Sequence, residues 1–196
     1  MRRIAIMLCM CVVMLVHAGG AALAEDPFAA YQKGDYAAAL KGFEELAAKG
    51  NPNAMNNLGM MLANGLGVKA DHQTALQWYQ KAASAGHIGA INNLGVAYEM
   101  GQGTAQNFAE AAKWYRIAAD NGLSDAQYNL AALYEAGNGV PNDPVQSYVW
   151  FSLAAQHGDP DAAAGRDRMA KVIDPTLRGQ ADGFVKSWKP AQQAQQ

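Results

Sequence analysis

The stretch from Ala90 to Asp125, AINNLGVAYEMGQGTAQNFAEAAKWYRIAADNGLSD, decides how the chain folds. It sets out Ala90-x3-Leu94-Gly95-x2-Tyr98-x2-Gly101-x-Gly103 and then Asn107-x3-Ala111-x2-Trp114-Tyr115-x2-Ala118-Ala119-x2-Gly122. The same pattern stands 36 residues earlier as Ala54, Leu58, Gly59, Gly65, Gly67, Asp71, Ala75, Trp78, Tyr79, Ala82, Ala83 and Gly86. It returns 36 residues later as Ala126, Leu130, Tyr134, Gly137, Gly139, Asp143, Trp150, Ala154, Ala155 and Gly158. Self-similarity at a fixed period of this size marks a stack of repeated supersecondary units.

Within one unit the spacing predicts two helices. Ala90, Leu94, Ala97 and Tyr98 share one face of a first helix, and Gly101 and Gly103 stop it, because glycine closes a helix in the left-handed conformation without steric cost. Asp71, Asn107 and Asp143 are side chains of the type that caps a following helix, and Pro144 fits a first turn. The second helix carries Ala111, Trp114, Tyr115, Ala118 and Ala119 and ends at Gly122. Small residues facing Trp and Tyr allow close helix approach with the rings filling the gaps, so Trp78, Trp114 and Trp150 are expected in the core.

Leu-Gly, then Gly-x-Gly, then Trp-Tyr or Trp-Phe, then Ala-Ala and Gly, all on this period, resembles the Sel-like repeat (SLR) family, relatives of the tetratricopeptide repeats. The resemblance covers about Asp35 to Asp161 and implies an all-α fold, a right-handed α-solenoid of antiparallel helix pairs that usually acts as a protein-binding scaffold. The chain departs from the pattern at Met61-Leu62, where other units have Ala97-Tyr98 and Leu133-Tyr134. Ala131 replaces the glycine and Thr104 the valine after Gly-x-Gly. None of these changes removes an apolar face.

The segments outside the repeats follow from composition and pattern. Arg2 and Arg3, the 13-residue apolar run Ile4–Val16 and Ala22-Leu23-Ala24 read as a cleaved secretory leader, residues 1–24. The run is too short to cross a bilayer comfortably. Residues 25–53 form a degenerate first unit, with Asp35, Ala39, Phe43, Ala47 and Gly50 in register with Asp71, Ala75, Tyr79, Ala83 and Gly86. The three full units occupy 54–161. Capping helices are expected over 162–188, and 189–196, with Pro190 and a Gln-rich end, as a disordered tail.

Composition narrows the function. The chain has 15 basic and 17 acidic residues; Arg2 and Arg3 lie in the leader, which leaves 13 against 17, a net −4. Such mild acidity offers neither the concentrated basic surface that nucleic acid needs nor adhesion to anionic lipid, and no stable membrane insertion is expected once the leader is removed. Both cysteines, Cys9 and Cys11, fall in the leader, so the remainder has no disulfide and no thiolate ligand. That separates the chain from the cysteine-rich branch of the family it resembles. His72, His87 and His157 form no i, i+4 pair and read as solvated helix-end residues, so no metal is expected. The serines lack a nucleophile-elbow context. Gly65-Leu66-Gly67 and Gly101-Gln102-Gly103 follow a helix, not a strand, and are helix stops, not nucleotide loops; no cofactor is implied.

What remains is a binding wall. Residues about 180° from Ala54 and Leu58 are Asn56, Met60 and Ala63, with counterparts Asn92, Val96 and Glu99, then Tyr128, Ala132 and Glu135. Asn57, Asn93 and Asn129 recur at its edge. Each either ties its helix to a neighbouring backbone group or joins a ladder of amides that holds the main chain of an extended peptide. The expected binding residues are therefore Asn56, Asn57, Met60, Asn92, Asn93, Val96, Glu99, Tyr128, Asn129 and Glu135. The expected role is a secreted, periplasmic scaffold that binds a protein or peptide on the concave wall and catalyses nothing. Two alternatives are an inhibitory or sensor subunit of an envelope receptor and an envelope hydrolase working through Glu99 and Glu135.

Overall fold

The computed structural model describes residues 26–191; the expected leader and the end of the expected tail, 192–196, lie outside them. The described residues form ten helices and no strand. In chain order these are α1 (Pro27–Lys33), α2 (Tyr36–Ala48), α3 (Pro52–Asn64), α4 (His72–Ser84), α5 (Ile88–Met100), α6 (Phe108–Asp120), α7 (Ser124–Ala136), α8 (Pro144–Ala155), α9 (Pro160–Met169) and α10 (Pro175–Ser187). Helices α3 and α4, α5 and α6, and α7 and α8 pack as hairpins. Each hairpin meets the next through its second helix, α4 on α5 and α6 on α7, with α2 on α3 and α8 on α9 extending the stack at either end. The result is an α-solenoid.

Local chemistry accounts for the helix ends. Gly65, Gly101 and Gly137 are left-handed C-caps whose N–H groups bond the carbonyls of Met61, Ala97 and Leu133. The second glycine of each pair has a different task. A Cβ on Gly103 would run into the His72 carbonyl at the start of α4, and one on Gly139 into Phe108 at the start of α6. Gly-x-Gly is therefore both a helix stop and the point where one unit's loop lies against the preceding unit's second helix. Across the loop, the N–H groups of Asp71, Asn107 and Asp143 donate to Leu62 O, Tyr98 O and Tyr134 O at 2.9, 2.8 and 3.1 Å. The same three side chains cap α4, α6 and α8. Each such cap stabilises by about 1 kcal/mol.

The first helices begin two residues before the expected alanines. Asn51 and His87 cap α3 and α5 with side-chain acceptors, while Leu123 leaves α7 without a side-chain cap. The expected core also needs correction. Trp150 is buried, but Trp78 and Trp114 are only half-buried. The deepest aromatic of each unit is the next residue, Tyr79, Tyr115 or Phe151. Helical geometry explains this: the ring one residue on is turned toward the first helix, where Gly59 and Gly95 leave no Cβ between the backbone and the rings of Tyr79 and Tyr115. Where Ala131 replaces that glycine, the Phe151 ring rests on Gly165 of α9. Trp114 works between units, packing against apolar clusters on both sides of it.

The chain ends close on this stack. Helix α10 lies on α8, with Tyr148 Oη donating to Asp182 Oδ1 at 2.6 Å. The start of the expected tail is anchored, because Ala191 N–H donates to Asp120 O at 2.8 Å.

A candidate protein-binding wall

The wall of α3, α5 and α7 is held by amides reaching from one unit to the next. Asn93 Nδ2 donates to Asn56 Oδ1 at 2.9 Å, and Asn129 Nδ2 donates to Asn92 Oδ1 at 3.3 Å. Asn57 has no full unit before it and turns back to Asn53 O at 2.8 Å. Two of the three recurring asparagines therefore bond to the asparagine that stands one position before that register in the preceding unit, a partner that neither expectation named. Each rung joins two groups that are poor helix formers on their own, and its value lies in fixing the spacing of adjacent first helices.

That ladder corrects the expected exposure. Asn56 and Asn92 are 8% and 9% exposed, so they do not stand open on the wall. A first helix is flanked by its counterparts in the neighbouring units, which leaves a free stripe narrower than an isolated helix would show. Asn57, Met60, Asn93, Val96, Glu99, Tyr128, Asn129 and Glu135 keep partial exposure. Two of these are already engaged. Glu99 accepts a hydrogen bond from Tyr115 Oη at 2.6 Å, and Glu135 takes Arg168 Nε and Nη2 at 3.0 and 2.9 Å. Burial and the Glu99 carboxylate both hold the Tyr115 phenol far above its ordinary pKa, so this proton stays in place. The two carboxylates are thus anchors of the scaffold, and neither has the geometry of a free acid or base.

The exposed negative charge lies instead at the amino ends of α7 and α9. Asp125 and Asp159 join Asn92, Tyr128 and Asn129 around a notch of about 300 Å³. Asp159 caps α9, accepting from the N–H groups of Asp161 and Ala162 at 2.8 and 3.2 Å. Asp125 and Asp159 escaped the sequence reading because the repeat pattern directs attention to helix faces, and these are helix-end residues. The available signal was contrast between units: Gly89 and Asn53 stand at the register of Asp125, and Leu123 and His87 at that of Asp159.

Another residue was missed for a different reason, being polar on the buried face of α7. Gln127 is fully buried where other units have Met55 and Ile91, and its Nε2 reaches Ala119 O at 3.3 Å. On the side away from the wall, α8 and α10 enclose a second groove of about 370 Å³, lined by Val149, Leu177 and Phe184. Arg116 lies at its edge, 4.8 Å over the Trp150 ring, and donates to Tyr134 Oη at 2.7 Å. His87 is half-buried and not solvated as expected; its Nδ1 accepts from Ala90 N–H at 3.0 Å. Among the described residues no group of three or more His, Cys, Asp or Glu could hold a metal ion, and no helix is long and apolar enough to cross a membrane.

Comparison with known proteins agrees with this architecture. The family model of the Sel1 repeat matches residues 52–87, 88–123 and 124–159. A Sel1 repeat protein from Oxalobacter formigenes is 36% identical, with a TM-score of 0.68, over 73% of this chain and 59% of its own. A protective antigen of uropathogenic Escherichia coli strains, displaying an SLR fold, is 32% identical, with a TM-score of 0.73, over 80% of this chain and 34% of its own. The chain therefore spans less than two thirds of the first relative and about a third of the second. The Helicobacter pylori cysteine rich protein B, at 23% identity and a TM-score of 0.50, shares the fold. A search of the curated proteins found no match. Sel1 repeat proteins typically mediate protein–protein interaction. Three tandem matches over the hairpins described above place this chain in the Sel1 repeat family.

Proposed function

We propose that the chain binds a protein or peptide partner on the wall of α3, α5 and α7, and that it works as a non-catalytic scaffold outside the cytoplasm. The observation that carries this reading is the side-by-side locking of the three first helices by Asn93–Asn56 and Asn129–Asn92. A wall fixed in advance loses little conformational entropy when a guest docks, so a few anchors suffice for affinity. Met60, Val96 and Tyr128 supply apolar and aromatic contact area along it, and they differ from unit to unit, as a surface that selects its partner requires. The location rests on the secretory pattern of residues 1–24.

Crosslinking tests the reading. A photoreactive phenylalanine at Val96 or Tyr128 should capture one partner in the native compartment, and the same probe at Gln80, exposed on α4, should not. The captured protein should then bind the purified chain, with affinity reduced about tenfold or more by Tyr128→Arg, the scale of losing one central anchor. Adducts from Gln80 alone, or binding indifferent to Tyr128→Arg, would put the interface elsewhere.

A further inference from the structure

We infer that the notch between α5, α7 and α9 receives a lysine or arginine side chain of an extended peptide, gripping the peptide's main chain at the same point. The inference rests on the wall reading above and gives it a recognition chemistry.

Charge is the first argument. Asp125 and Asp159 both line the notch, and no lysine or arginine does. Neither carboxylate has a cationic partner among the described residues, whereas Glu135 on the same wall is neutralised by Arg168. Asp159 spends Oδ1 on the first turn of α9 and keeps Oδ2 for another donor. A cation brought into the notch by a partner meets two carboxylates that no ion pair of the scaffold neutralises.

The buried amide supplies an independent argument. Asn92 is 9% exposed and lines the notch; its Oδ1 is taken by Asn129, while its Nδ2 has no hydrogen-bond partner. That donor opens on the notch with no protein acceptor, so a carbonyl of a docked ligand can take it without displacing a bond of the scaffold. Asn129, which spends its Nδ2 on Asn92, likewise keeps its Oδ1 free. One unpaired donor beside one unpaired acceptor matches the C=O and N–H of a peptide main chain, and the aspartates flank them where a basic side chain of that peptide would lie. At Asn56 the equivalent donor is already turned to Met60 Sδ at 3.5 Å, so this opening belongs to the junction of the second and third units and is not a general feature of the stack.

The test uses two probes of equal size, acetyl-Ala-Ala-Arg-Ala-Ala-amide and the same peptide with citrulline in place of arginine. Side-chain amide signals of Asn92 and Asn129 in nitrogen–proton correlation spectra of the whole chain report occupancy. The arginine peptide should shift both signals, and bind at least fivefold more tightly than the citrulline peptide. Asp125→Asn with Asp159→Asn should abolish that preference; asparagine caps a helix as well as aspartate, so the variant should keep its circular dichroism. Raising salt to about 0.5 M should narrow the preference in the same way. Equal binding of the two peptides, or a preference that survives the double substitution, overturns the charge recognition and leaves the wall reading standing. Absence of any shift at Asn92 and Asn129 overturns the inference, whereas the wall reading is decided by the crosslinks from Val96 and Tyr128.

Discussion

Tyr115 and Phe151 stand at the same register, and the one oxygen that separates them decides what two carboxylates do. In the second unit the Tyr115 hydroxyl is buried and donates to Glu99. In the third unit Phe151 has no hydroxyl to offer, and Glu135, at the register of Glu99, turns to Arg168 of α9. The first unit has Tyr79 with Ala63 in place of the acid, and burial alone pushes that phenol up to about 12. Carboxylate and donor have thus been matched unit by unit. Tyr115→Phe leaves Glu99 without its donor and should cost about 1–2 kcal/mol in urea unfolding, the penalty of orphaning a partly buried polar group. Glu99→Gln keeps an acceptor for the hydroxyl and should cost less than Tyr115→Phe. If Tyr115→Phe leaves stability unchanged, the hydrogen bond contributes nothing and Glu99 is free for other work.

Helices in this chain are set by their ends, and α5 has the most unusual one. His87 caps it through Nδ1, a role open only to the neutral ring, and partial burial holds its pKa below the ordinary histidine value. The unfolded chain therefore binds the proton more readily than the folded one. The stabilisation is fully present above the unfolded pKa of about 6.5 and is lost as pH falls through the lower folded value. His87→Asn keeps a capping acceptor that does not titrate. It should flatten this acid limb, with a difference on the order of 1 kcal/mol between pH 7 and pH 5 in denaturant midpoints. An identical acid limb in wild type and variant would remove His87 from the account. The glycine pairs make a second contrast between elements. Gly101 and Gly103 both have positive φ, 69° and 74°, so alanine is strained at either. Only at position 103 does the new methyl also collide with the backbone of the preceding unit. Gly103→Ala should therefore be the more destabilising by at least about 1 kcal/mol, since it must also push two units apart. Equal losses from the two variants would mean that the loop does not bear on α4.

At the scale of the molecule, the stack was legible because its causes are local and repeat. Gly-x-Gly, the Asp and Asn caps and the apolar spacing each act within a few residues, and three copies in register leave one packing solution. The wall was less legible, since exposure there is set by the neighbouring unit. Asn56 and Asn92 read as open on an isolated helix and are closed by the next one; Trp78 and Trp114 read as core and are half-buried between units. Asp125 and Asp159 needed α7 and α9 placed side by side before they could be seen as a pair. Nearest-neighbour packing also predicts how the stack ends. Helix α10 covers Val149 and Trp150 of α8, sets Ala181 into the contact at 4% exposure and gives Tyr148 an acceptor in Asp182. Ala181→Asp places a carboxylate against that apolar face, with an expected cost of about 3 kcal/mol to the α8–α10 contact. Because each unit touches only its neighbours, α10 should detach while α3 to α8 hold together. The bared strip of α8 should then draw two chains into contact, seen as a concentration-dependent dimer in sedimentation, with little loss of helicity beyond α10. A variant that stays monomeric with an unchanged unfolding midpoint would show that α10 is not what closes this end of the solenoid.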